Sequence, residues 1–256
     1  MDSRITTIAR YTLLEALRTR LAALVFLTLV VLLGASFFVV ALAVIEGARF
    51  QAGFYAAGAR LACVFVIGLY AIVSVTREFD DKGLDVLLAL DLPRSHYVLG
   101  KLAGFLAIAA VVAAAAALPL ALLASPAAAL QWMLSLAFEL AIVAALALFC
   151  VLTFSQLTLA ASFVLAFYVL ARSLTAIRLM SDSPITGSDT FAYHAARLVT
   201  EGLALVMPAL DGWTRTAWLV DGAAPWTALI QLGGEAVLYV ALLAAAAMFD
   251  FYRRNF

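Results

Sequence analysis

Six apolar runs follow one another along this chain, each free of charge over most of its length, and short polar gaps separate most of them. They fall at about residues 21–45, 55–76, 102–124, 128–152, 157–174 and 227–249. As a helix rising 1.5 Å per residue, the first covers about 37 Å, enough to cross a hydrocarbon core of about 30 Å with tilt. Apolar residues occupy every side of these runs rather than one stripe, the pattern expected where lipid surrounds the helix. A backbone in lipid has to satisfy its own polar groups, and a helix does so within one segment. The expected fold is an all-α polytopic membrane protein with six transmembrane helices.

The gaps carry their own signals. Residues 46–53 form a polar turn, "SPA" at 125–127 a tight one, and "TFSQ" at 153–156 the break before span five. Arg60 falls near the outer rim of span two, where its long side chain is expected to snorkel towards headgroups. Ahead of span one, Ile5, Ile8, Leu13, Ala16 and Leu17 approximate one helical face with arginines elsewhere, which predicts an N-terminal helix lying in the membrane interface. Residues 175–226 make the one long loop, with Pro184, Pro208 and several glycines. Within it, Tyr193, Arg197 and Glu201 recur at helical spacing among apolar residues, predicting an amphipathic helix that caps the bundle or docks a partner.

Composition agrees with the pattern. Hydrophobic residues make up 66% of the 256 and charged residues only 12%, about half the share of a soluble domain. Net charge is zero, so no general attraction to nucleic acid is expected. The basic residues are asymmetric. With the N-terminus inside, the cytoplasmic side receives Arg4, Arg10, Arg18, Arg20, Arg77, Lys82, Arg94, Lys101, Arg253 and Arg254, leaving six for the other side. The positive-inside rule therefore places both termini in the cytoplasm. The arginine- and alanine-rich composition is associated with GC-rich bacterial genomes.

The densest polar interruption is "TREFDDKGLDVLLALDLPRSHYVLGK" at residues 76–101, with nine charged side chains between two apolar walls. As a helix it has a stripe of Phe79, Gly83, Val86, Leu87 and Leu90, with Glu78, Asp81, Lys82 and Asp85 on the other side. Acids early in a helix suit its positive end. Pro93 ends the helix, since the residue before a proline is pushed out of helical geometry. "SHYVLGK" then re-enters the membrane, with Tyr97 and Lys101 placed to anchor at headgroups.

This stretch resembles the loop between spans two and three of ABC-2-type transporter permeases, at Arg77, Glu78, Gly83, Leu87, Leu88, Pro93, Arg94, Tyr97, Gly100 and Lys101. Asp91 stands where a neutral residue is usual. "IARYTLLEALRTRLAAL" is similar to the interfacial elbow helix that opens that family, and "VMPALDGW" and "FYRRNF" resemble its closing part. The resemblance implies that residues 77–97 are a cytoplasmic coupling helix seated in a groove of a separate ATPase subunit. Arg77, Glu78, Asp81, Lys82, Gly83, Asp85, Leu87, Leu90, Pro93 and Arg94 would make that contact. It also implies two ATPase copies, a second permease copy as a homodimer, and ATP with Mg held by the partner. The chain itself has no G-x-x-x-x-G-K-[ST] phosphate loop, so neither cofactor binding nor ATPase activity is expected of it.

Other chemistry is sparse. Glu139 in span four and Glu235 in span six are costly inside a membrane and are candidates for a cavity or substrate pathway. Gln156, Tyr168 and Arg172 are the candidate partners of such a carboxylate. "DGWTR" at 211–215 opens like a lipid-headgroup transferase motif but lacks the further aspartates. His96 and His194 have no second ligand at metal spacing, and Cys63 and Cys150 read as small hydrophobes. An integral membrane enzyme acting on lipid would need clustered catalytic side chains at one depth, which are missing. The first functional expectation is the permease of an ATP-driven exporter. The alternative is a transmission subunit that passes ATPase motion to a periplasmic partner, similar to the membrane subunit of the transporter that matures nitrous-oxide reductase.

Overall fold

The structure is a computed structural model that describes residues 3–42, 47–80, 93–154, 156–182 and 191–253. Among these it is predominantly helical, with no strand. The elements are α1 (Ser3–Arg18), α2 (Leu21–Leu42), α3 (Gly47–Asp80), α4 (Arg94–Ala117), α5 (Leu120–Leu123), α6 (Pro126–Thr153), α7 (Leu157–Asp182) and α8 (Phe191–Val206). A 3₁₀ turn (Leu210–Gly212), α9 (Ala217–Val220) and α10 (Trp226–Arg253) follow. Six helical stretches are long and apolar enough to cross a membrane: α2, α3, α4 with α5, α6, α7 and α10.

The helices overrun the apolar runs that announce them. Span two begins at Gly47 rather than near residue 55 and continues to Asp80, and the helix of span three begins at Arg94 rather than 102. Charge-free length measures hydrocarbon depth, whereas helical hydrogen bonding continues wherever polar side chains find partners. Pro93 caps the start of α4. The "SPA" turn is a capped helix start: the Ser125 hydroxyl accepts from the Ala128 N–H at 3.3 Å and Pro126 occupies the first turn, where its missing N–H costs nothing. Pro119 separates α4 from α5 within one span, since it cannot donate back into the preceding turn.

α6 is the central helix. It packs against α3, α4, α7 and α10, and 72% of its spanning window is buried, against 17% for the peripheral α2 and α10. With lipid as apolar as leucine, close packing has to hold such a bundle, and small residues permit it. Gly100 and Gly104 on α4 form a G-x-x-x-G pair against α1. A Cβ at Gly100 would lie 2.7 Å from Ile8 Cβ, and one at Gly104 would lie 2.6 Å from Thr12 Cβ. The shared four-residue register makes α1 and α4 run in the same direction. α2 instead runs opposite to α3, pairing Leu32 with Gly58 and Ser36 with Gln51.

Candidate functional site

Two buried polar clusters stand out in this apolar bundle. The first ties together α1, α3, α4 and the end of α10, beside the charged block. Lys101 is only 3% exposed, and its ammonium is ion-paired to Glu78 and lies 3.8 Å from Glu15. The Tyr97 hydroxyl donates to the second Glu78 oxygen at 2.7 Å, and Ser74 donates to Glu15 at 3.4 Å. Arg94 donates to the Phe251 carbonyl at 2.8 Å, with its guanidinium 5.6 Å from the Phe251 ring. Tyr97 stacks on the same ring at 5.8 Å.

This arrangement corrects one expectation. Tyr97 and Lys101 do not face headgroups; both point inward, because Glu78 and Glu15 offer the ammonium better compensation than a lipid surface. Glu78 and Arg94 thus hold α3 and α4 to their neighbours, while Arg77 and Pro93 are exposed. Asp81, Lys82, Gly83, Asp85, Leu87 and Leu90 lie outside the described residues.

The second cluster centres on Glu139 of α6, which is fully buried. Tyr168 of α7 donates to one carboxylate oxygen at 2.9 Å, and the Thr214 hydroxyl donates to the other at 2.5 Å. Arg172 lies 3.7 Å from Glu139 and also donates to the carbonyls of Leu210 and, at 3.1 Å, Trp213. Arg60 donates to the Thr214 carbonyl at 3.1 Å, so it turns into the bundle instead of snorkelling outwards. Thr214 is itself buried and sits at φ 48°, a left-handed conformation that β-branched residues rarely adopt. Its N–H donates to Ser135 at 2.8 Å, and these bonds together hold the strained geometry.

The sequence carried a signal for this cluster. Gln131, Ser135 and Glu139 recur every fourth residue in an otherwise apolar helix, which places them on one face. Each grips the loop after α8: Gln131 donates to the Ala224 carbonyl at 2.8 Å, Ser135 accepts from Thr214, and Glu139 accepts from its hydroxyl. The "DGWTR" stretch is thus a structural loop, buried at Trp213 and Thr214 and held by a polar ladder. Gln156 is exposed and is not a partner of Glu139. Glu235 is exposed on α10, with no hydrogen bond or ion pair among the described residues, and nothing joins it to Glu139. Among the described residues no group of three or more His, Cys, Asp or Glu could hold a metal.

No protein-family profile and no curated protein matches this sequence.

Proposed function

We propose that this chain is the membrane permease subunit of an ATP-driven ABC-2-type exporter, working as a homodimer in the bacterial inner membrane with both termini cytoplasmic. Two copies of a separate ATPase would hold ATP and Mg, and residues 77–97 would receive their motion. The observation that carries this reading is the pinning of α3 to α4 by Lys101, Glu78, Glu15 and Tyr97 on either side of the charged block. α3 has 34 residues, about 51 Å of helix against about 30 Å of hydrocarbon, so part of it projects beyond the membrane. Motion delivered to the end of α3 or the start of α4 would be passed to both helices through these contacts, which suits a rigid-body transition. The reading is tested by purification. The chain alone is expected to hydrolyse no ATP and to co-purify with a cytoplasmic ATPase; hydrolysis at an ordinary enzymatic rate by the isolated chain would overturn it.

A second reading draws on the opposite cluster. The loop after α8 is bound to α6 and α3 through Thr214 and to α7 through the Leu210 and Trp213 carbonyls, and α8 exposes Leu198, Val199 and Val206. These features suit a transmission subunit that hands ATPase motion to a periplasmic partner seated on α8, with no substrate crossing the lipid phase. Cross-linking from a cysteine at Leu198 separates the two: capture of a discrete periplasmic protein favours transmission, and none favours export.

A further inference from the structure

An apolar groove of about 380 Å³ opens between α1, α2 and α4, within the range of ligand-sized pockets. Its walls are almost wholly hydrocarbon, from Leu13 and Leu17 of α1 through Val25 and Leu33 of α2 to Val112 and Pro119. Along α2 it reaches from Leu21 to Leu33, about 18 Å of helix and close to the depth of one leaflet. A groove of that length and lining fits a single acyl chain.

Its mouth carries the opposite chemistry. Leu17 and Leu21 both line the groove, and the short link between them holds Arg18 and Arg20. Both arginines are exposed, and neither guanidinium has a hydrogen bond or ion pair among the described residues. The nearest acid in sequence, Glu15, is turned towards Ser74 and Lys101 and leaves this charge uncompensated. We propose that this groove is a binding site for one anionic glycerophospholipid, its acyl chain lying along α2 and its headgroup phosphate held by Arg18 and Arg20. Such a lipid would cover the thin contact between α1 and the bundle's first span. The proposal stands apart from the ATPase reading, because it needs only a bilayer.

The test uses the full chain in detergent, offered phosphatidylglycerol and phosphatidylcholine of identical acyl composition, with retained lipid counted by native mass spectrometry. The wild type is expected to keep one phosphatidylglycerol in preference to phosphatidylcholine by roughly thirtyfold, at about fivefold per arginine near an anionic headgroup. Arg18→Gln with Arg20→Gln should lose the preference yet still retain one lipid of either kind. Ala115→Trp, which fills the groove, should lose both; Ala22→Trp, at an exposed lining position, repeats the test should the first variant fail to fold. Equal retention of the two lipids by the wild type would overturn the proposal, as would a preference that survives the double substitution or retention unchanged in the filled variants. Efficient disulfide cross-linking of two copies through Val30→Cys would assign the groove to a second chain and also overturn it.

Discussion

Glu139 has a residue-scale role that can be separated from a pathway role. Both of its oxygens are occupied by hydroxyl donors and its charge is met by Arg172, so its removal would leave the Thr214 and Tyr168 hydroxyls without that acceptor and Arg172 without its counter-charge. Glu139→Ala is expected to cost about 3–5 kcal/mol of stability in detergent, as when one partner of a buried ion pair is deleted. Glu139→Gln keeps acceptor oxygen and should cost less. Melting of the purified variants checks this, and a stable Glu139→Ala that fails only in transport would return the residue to a pathway. For Lys101, a double-mutant cycle of Lys101→Met and Glu78→Gln should show a coupling of about 0.5–3 kcal/mol, since the two groups are in contact. The sequence singled out Glu139 and Glu235 through the rarity of charge in apolar helices, whereas it placed Glu78 on a face turned towards an ATPase and Lys101 at headgroups. It did not reveal that Arg60 and Thr214 converge at Glu139, because their contacts join segments 154 residues apart.

Helices were legible from apolar run length, and their ends were not. Six spans follow from counting charge-free residues, but the helices of spans two and three run on through Glu78, Tyr97 and Lys101, which satisfy one another. The packing of α1 on α4 was also hidden, although Gly100 and Gly104 stood in plain view at four-residue spacing. Each glycine leaves no room for a methyl group beside a Cβ that is fixed to its own backbone, so α1 would have to move. Gly100→Ala and Gly104→Ala are each expected to lose about 1–3 kcal/mol by overpacking and to expose α1 to limited proteolysis. Unchanged digestion would show that α1 docks loosely. The orientation of the bundle is tested separately: cysteine labelling from the outer side should reach a probe at Ser188 and not one at Asp81, and the reverse pattern would reject the topology.

At the scale of the whole molecule, the two polar clusters divide the work of one bundle. The Glu139 ladder fastens the loop after α8 to the central helix, and the Lys101 cluster fastens α3 to α4 at the two ends of the charged block. The proposed lever is the charged block between those fastened ends, with an ATPase as its driver. If its apolar stripe enters a protein groove, burial of Leu87 contributes about 1.5–3 kcal/mol, and a charge there would in addition be buried without a partner. The most direct measurement is co-purification and transport-coupled ATP hydrolysis of the intact complex carrying Leu87→Glu and, separately, Gly83→Pro. The ATPase is expected to dissociate or to hydrolyse ATP uncoupled from transport. Normal assembly and coupling in both folded variants would mean that the block is only a solvated face, and would contradict it.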